Sequence, residues 1–360
     1  MSAVQLPGTD PAPVTRPPLG ADIETGRDDV DTPPARRGPS RLLHRAERYT
    51  LLALLLAICA FFSVFPESAE TFPTAANLSI VAGNQSVITL LALALLLPLV
   101  SGHFDFSVGA TAASSSVLSA VLMSRYDLWL PWCVLASIVF GTVVGSVNGV
   151  LVSRLRMNSF VTTLGMATLL GGLIQWYTGG QTTTSNINPN LVSFGSAKWL
   201  GLPRLVFVVA MVLVLGWYLL AQTPYGRSLY AIGANPRAAE LVGIPVRSYT
   251  ARAFVCGGAV AGLAGVLLTA RTGGATADNG TSMLFPALAA VFLGATAIQP
   301  GRFNVWGTVI GVLFVAVSVS GLTLAGASDW VNPVFNGAAL LVAVALSSFL
   351  ANRRGAGRPL

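Results

Sequence analysis

The sequence predicts an all-α polytopic membrane protein with about ten transmembrane helices, and three observations support this prediction. Only 10% of the 360 residues are charged, 53% are apolar, and the mean hydropathy is +0.69. A soluble domain typically carries about 25% charged residues. Beyond Arg48, the charged residues leave ten charge-free stretches of 18 residues or more. Because about 20 mostly apolar residues cross the hydrocarbon core of a bilayer, each stretch can hold one spanning helix.

The predicted spans each lie inside one charge-free stretch, so that charged residues fall only beyond their ends. They cover 50–65, 84–100, 106–124, 131–152, 160–177, 205–221, 253–270, 284–299, 304–325 and 333–350. The second and third abut at a short polar run. We therefore expect a membrane domain over 49–351, with an outer loop at 178–204 and an inner loop at 222–250.

The distribution of basic residues predicts the orientation of these spans. Alternate loops and the two chain ends hold 17 of the 21 Lys and Arg residues. Cytoplasmic loops carry such an excess in membrane proteins, so both termini are expected in the cytoplasm, which requires an even number of spans. The net charge of +7 is thereby explained without nucleic-acid binding.

Two segments outside the membrane domain are expected to be tails. Residues 1–48 are rich in Pro, Gly, Asp and Arg and show no apolar periodicity. Such a composition does not bury enough apolar surface to fold alone. We expect a disordered cytoplasmic tail over 1–48 and a short cytoplasmic tail over 352–360.

The inner loop contains the most informative pattern. Asn235 can cap a short helix with Pro236 at its first position. The helix is expected to cover Arg237 to Val242 and to stop at Gly243, a usual residue after a helix end. A helix this short is unstable alone in water. It must therefore pack on a partner or on its own membrane domain.

This segment resembles the cytoplasmic coupling loop of the membrane subunits of ABC importers, in which an Ala-Ala pair is followed by Gly. It is more narrowly similar to the ribose, xylose and galactose permease family, and the matching residues are Gly226, Arg227, Ala231, Gly233, Asn235, Ala238, Ala239, Gly243 and Ile244. The resemblance implies that a separate ATPase docks here. The residues implied in ATPase coupling are Arg227, Asn235, Arg237, Ala238, Ala239, Glu240 and Gly243.

A second segment, at the junction of the second and third predicted spans, resembles the same family. Gly102, Asp105, Ser107, Val108 and Gly109 match its Gly-Gly-Ile-Asp-Leu-Ser-Val-Gly pattern, whereas His103, Phe104 and Phe106 depart from it. The resemblance implies a helix break near the translocation pathway, with Ser101, Gly102, His103, Asp105, Ser107 and Gly109 as candidates. A compatible interpretation is that Asp105 caps the third span by accepting hydrogen bonds from Ser107 or Val108.

Two segments about 200 residues apart suggest an internal repeat. Residues 102–109 and 301–307 share a Gly-x-Phe-Asp/Asn-hydrophobic opening. Transporters often consist of such repeats, and this spacing is consistent with two halves of five helices.

Several chemistries are not indicated by the sequence. It has no G-x-x-x-x-G-K-[ST] loop, and its single lysine, Lys198, is on the predicted outer side. No zinc-ligand spacing and no Ser/His/Asp set is evident. We therefore expect no catalytic residue, metal or cofactor in this chain, with ATP and Mg bound by the partner ATPase.

The resemblance implies a bacterial inner-membrane permease subunit that imports a monosaccharide. The implied partners are a cytoplasmic ATP-binding subunit, an extracytoplasmic substrate-binding protein, a second permease copy (identical or different) and the bilayer. Branched amino acids, nucleosides and signalling sugars are alternative cargoes. A secondary transporter coupled to an ion gradient through His103 and Asp105 is the alternative mechanism. A third possibility, an intramembrane enzyme, is disfavoured because the sequence shows no paired catalytic residues.

Overall fold

The fold is helical. A computed structural model describes residues 41–276 and 279–355. Within them lie fourteen helices and one small sheet, in the order α1 (Arg41–Val64), α2 (Ala75–Val100), α3 (Val108–Tyr126), α4 (Leu130–Ser153), α5 (Ser159–Thr178), α6 (Pro189–Ser196), β1 (Lys198–Trp199), β2 (Leu202–Pro203), α7 (Arg204–Gln222), α8 (Pro224–Ala234), α9 (Pro236–Leu241), α10 (Val246–Thr272), α11 (Asn279–Ser282), α12 (Leu284–Gly294), α13 (Val305–Leu324) and α14 (Val331–Gly355).

Six helices are long and apolar enough to cross a membrane, namely α2, α4, α5, α7, α10 and α13. Apolar segments of α1, α12 and α14 are shorter. The described residues therefore confirm the prediction of a polytopic membrane protein. The count of ten spans and the cytoplasmic location of both termini stay predictions.

Two predicted spans have unexpected forms. The span predicted at 284–299 ends early, because α12 stops at Gly294 and a turn follows. With 11 residues at about 1.5 Å each, α12 covers only about half of the hydrocarbon thickness. The span predicted at 106–124 corresponds to α3, whose many Ser and Ala residues lower its hydropathy and whose surface is mostly buried.

The centre of the fold is built from α2, α3, α4 and α10. Every residue of α2 from Thr89 to Val100 is buried. The buried polar residues of α3 are paired: Ser116 Oγ lies 2.8 Å and Ser119 Oγ 3.2 Å from Thr269 Oγ1 of α10. These hydrogen bonds satisfy hydroxyl groups that would be costly in an apolar interior.

Glycine faces allow α4 and α10 to pack closely. An added Cβ on Gly258 would collide with the carbonyl of Gly141 and lie 2.9 Å from Gly145 Cα. An added Cβ on Gly262 would lie 2.5 Å from Ser137 O. Small residues on both facing surfaces therefore let the two helix backbones approach closely.

The two long loops contain structure of their own. The loop predicted at 178–204 holds α6 and the antiparallel pair β1–β2, with a turn at Leu200 (φ 51°) and Gly201 (φ 83°). The loop predicted at 222–250 holds α8, α9 and the start of α10.

The predicted tails are only partly within the described residues. Helix α1 begins at Arg41, inside the segment predicted as a tail over 1–48, and residues 1–40 lie outside the described part. At the other end α14 runs to Gly355, inside the tail predicted at 352–360, and 356–360 lie outside.

Candidate functional site

The short helix α9 has the start that the sequence predicts. Asn235 has an extended backbone (φ −161°, ψ 101°), and its side-chain oxygen accepts a hydrogen bond from the Ala238 N–H at 3.1 Å. Pro236 follows at the first helical position, where its missing N–H costs nothing. The capped helix predicted in the inner loop is confirmed.

The end of α9 is a glycine turn with two capping hydrogen bonds. Gly243 N–H donates to Glu240 O at 3.0 Å, and Ile244 N–H donates to Ala239 O at 3.0 Å. Gly243 has φ +82°, a left-handed conformation that costs other residues about 1–2 kcal/mol. An added Cβ there would meet nothing within 4 Å, so the backbone conformation alone explains this glycine.

Helix α9 rests on the rest of the protein through one small residue. Ala239 is 3% exposed, whereas Arg237, Ala238 and Glu240 are exposed. Leu241 and Val242 are 89% and 76% exposed. The sequence prediction did not single out these two residues, although they are two consecutive apolar residues at the end of a polar loop helix.

Helix α8 anchors this region to the membrane domain. Its side chains Leu229 and Ile232 are fully buried. Tyr230 donates its hydroxyl to Phe303 O at 2.7 Å, and its ring lies 4.4 Å from the guanidinium of Arg302. Arg227 is on α8 and lines a cavity of about 260 Å³ that α9 does not reach. The structure therefore separates Arg227 from the other predicted coupling residues.

The predicted helix break lies between the end of α2 and the start of α3. Asp105 is 2% exposed and accepts hydrogen bonds from Ser107 N–H at 3.0 Å and Ser107 Oγ at 2.6 Å. Asn148 of α4 donates to Ser107 Oγ at 2.8 Å. Burial raises the pKa of Asp105 to about 6, and the two bonds from Ser107 oppose that rise.

This arrangement agrees with the capping interpretation in part. Asp105 bonds the Ser107 N–H as expected, but Ser107 itself is the residue that precedes α3 and its own side chain makes no cap bond. Asn148 was missed, because nothing in the sequence relates it to a residue 41 positions away.

The first half of the break contacts α8. Gly102 has φ +84°, and an added Cβ would lie 3.7 Å from Gly233 Cα. The Nδ1 atom of His103 lies 3.0 Å from Ser101 O, and burial lowers the pKa of this imidazole. Gly109, in the first turn of α3, faces α11, where an added Cβ on Gly280 would lie 2.5 Å from Gly109 O.

Comparison with known proteins decides the family. Residues 77–344 match the family described as the permease component of the branched-chain amino acid transport system. This chain belongs to that family. It is therefore a transport-system permease of the inner membrane, with several apolar helices.

Several relatives of this permease are similar over most of their length. The ribose import permease of Haemophilus influenzae is 29% identical over 86% of this chain and 95% of its own. The autoinducer 2 import system permease of Salmonella choleraesuis is 31% identical over 80% and 82%. The galactofuranose transporter permease of Escherichia coli is 31% identical over 83% and 88%. No solved structure matches.

The second half of this permease contains a turn similar to the helix break. Gly301 has φ +77°, and Asn304 Oδ1 accepts a hydrogen bond from Gly307 N–H at 2.7 Å at the start of α13. Gly102 and Asp105 occupy the corresponding places before α3. The shared geometry supports the predicted repeat, with one difference: Asn304 is itself the residue that caps α13.

The residues that the structure describes contain no candidate metal-binding site. No group of three or more His, Cys, Asp or Glu residues there could hold a metal ion.

Proposed function

We propose that this chain is the membrane subunit of an ATP-driven importer that moves a monosaccharide into the cytoplasm. Membership of the permease family supports the transport role. Relatives named for import of ribose and autoinducer 2 and for transport of galactofuranose favour a sugar or sugar-like cargo. A separate ATPase would bind ATP and Mg, and a binding protein would deliver the cargo.

The observation that carries the coupling role is the exposure of α9. A six-residue helix is too short to be stable by itself, and here Ala239 alone is buried while Leu241 and Val242 are open. Exposed apolar patches rimmed by polar residues mark contact sites. We infer that the ATPase covers α9, and that Asn235, Arg237, Ala238, Glu240 and Gly243 form or support its docking surface.

A route for movement from α9 into the membrane domain is available through α8. Asn235 directly joins α8 to α9. The last turn of α8 lies against Gly102 and the end of α2, at the start of the helix break. Displacement of α9 would therefore reach the segment around Asp105 and Ser107 without crossing a flexible linker. A second permease copy would complete the pathway.

The test compares two glycine turns with the same backbone conformation. Gly243 (φ +82°) follows α9, and Gly201 (φ +83°) lies in the β1–β2 turn; an added Cβ meets nothing within 4 Å at either. We expect Gly243→Asp to abolish uptake while Gly201→Asp retains it, because both carry the same backbone strain but only Gly243 adjoins the docking surface.

Uptake is measured with radiolabelled ribose, galactose and leucine in cells that co-express the chain with its ATPase and binding protein. Normal uptake by a normally inserted Gly243→Asp variant refutes the coupling role. Uptake that survives ATP depletion and collapses with the proton gradient identifies an ion-coupled carrier instead.

A further inference from the structure

A polar cavity of about 270 Å³ lies beside α9, between the end of α4, the start of α10 and the helix break. This volume is far above the roughly 10–15 Å³ that one water needs. Its lining includes three arginines and one carboxylate, contributed by Arg156, Arg237, Arg247 and Glu240, together with His103. The lining charge is therefore positive.

Two buried hydroxyl groups in this cavity have no partner. Ser153, at the end of α4, is 8% exposed, and Thr250, in the first turns of α10, is 2% exposed. The Oγ of Ser153 and the Oγ1 of Thr250 make no hydrogen bond. Buried polar groups are almost always hydrogen-bonded, so two orphaned hydroxyls lining one cavity indicate a missing acceptor or donor.

Two of the arginines that line the cavity also have side chains without a partner among the described residues. Neither the Arg156 side chain nor the Arg247 side chain makes a hydrogen bond or ion pair with another described residue. Helix α10 begins at Val246 after Pro245, whose side chain supplies no cap bond. The start of this 27-residue helix adds partial positive charge from its free N–H groups.

We propose that this cavity binds the phosphate group of a small ligand or a lipid. A phosphate oxyanion accepts charge-assisted hydrogen bonds from arginine and hydrogen bonds from hydroxyl groups. Ser153 and Thr250 would donate to its buried side, and Arg156 and Arg247 to its open side. The bound group would link α4 and α10 to α9, which bears on coupling only if the proposed function is correct.

The binding experiment uses the full chain in an uncharged maltoside detergent, titrated calorimetrically with inorganic phosphate against chloride of equal ionic strength. We expect saturable binding to the wild type. Arg156→Gln, Arg247→Gln and Thr250→Val should each weaken it about tenfold or more, as expected for loss of one strong hydrogen bond. The matched control is Arg154→Gln, an exposed arginine of the same loop that does not line the cavity.

Misfolding is excluded by requiring that each variant unfold at the wild-type temperature without phosphate. Lipid discs distinguish the source: phosphate affinity that falls in phosphatidylglycerol discs, relative to discs of a phosphate-free sulfolipid with the same negative charge, assigns the site to a lipid headgroup. Unchanged affinity assigns it to a soluble phosphate.

Absence of binding above the chloride control, or equal loss in Arg154→Gln and Arg156→Gln, overturns the proposal. A third outcome also overturns the proposal: the wild type binds no phosphate, and Arg156→Gln no longer co-purifies with the ATPase. Arg156 would then pair with a carboxylate of the ATPase instead of binding phosphate. Because ATPase recovery is measured separately, on the same variants purified from cells that co-express the ATPase, an intact complex without phosphate binding leaves the proposed function standing.

Discussion

Gly233, near the end of α8, lies directly against the carbonyl of Val100 at the end of α2, and an added Cβ would collide with that oxygen. This contact brings the loop that carries α9 against the fully buried second half of α2. Because main-chain atoms meet there, no side-chain rearrangement can make room. The contact is the structural basis for linking α9 to the helix break.

Gly233→Ala should therefore lower stability. Forcing a methyl group into packed main chain costs about 1–3 kcal/mol, which should lower the unfolding temperature measured by size-exclusion after heating in detergent. Gly216→Ala in α7 is the matched control, because an added Cβ there meets nothing within 4 Å. Equal unfolding temperatures for the two variants would contradict the close contact.

The α4–α10 interface makes a second prediction. Gly258 faces Gly141 and Gly145 so closely that valine cannot fit without separating the helices. Gly258→Val should destabilise the protein by at least about 1–3 kcal/mol. Gly172→Val in α5, where an added Cβ is unobstructed, controls for valine in a helix. A stable Gly258→Val variant would show that the two helices do not pack as described.

The bonds around Ser107 make a third prediction. Asp105 accepts from Ser107, and Asn148 donates to it. Asp105→Ala leaves a buried N–H and hydroxyl unpaired, at about 1–3 kcal/mol, whereas Asp105→Asn keeps an acceptor oxygen and should be milder.

Coupling within this network is tested by a double-mutant cycle. Because both partners bind Ser107, the losses for Asp105→Ala and Asn148→Ala should not add. Additive changes in unfolding temperature would indicate that the two residues act independently.

Local signals predict structure well where all the determinants lie within a few residues. Asn235, Pro236 and Gly243 supply the cap, the first turn and the stop of α9, and the helix appears between them. Charge-free stretches likewise locate the long apolar helices.

Contacts between residues that are far apart in the sequence could not be predicted from local patterns. Asn148 reaches Ser107 only because α4 packs beside α3. The stretch that begins at Leu284 is uninterrupted by charge, yet α12 ends at Gly294, where the chain turns and Gly294 packs against Gly307 of α13. Leu241 and Val242 were counted as ordinary helix residues, since exposure depends on what the folded protein leaves uncovered.

The exposed pair at the end of α9 makes the last prediction. Leu241 and Val242 are 89% and 76% exposed and contribute little to the stability of the isolated chain. In the proposed complex they would be buried against the ATPase, and apolar area removed from water contributes about 25 cal/mol per Å². Leu241→Ser with Val242→Ser should therefore leave the unfolding temperature unchanged but reduce the co-purifying ATPase and its ATP hydrolysis.

Leu200, 95% exposed in the β1–β2 turn, provides the matched control. Leu200→Ser removes the same kind of exposed leucine far from α9 in the chain and should retain the ATPase fully. Full ATPase recovery with the double variant would show that α9 does not bind the motor through this pair. An equal loss of the ATPase in Leu200→Ser would show that exposed leucines retain it only through non-specific hydrophobic association. The reason is that the two sites have no common partner in the proposed complex.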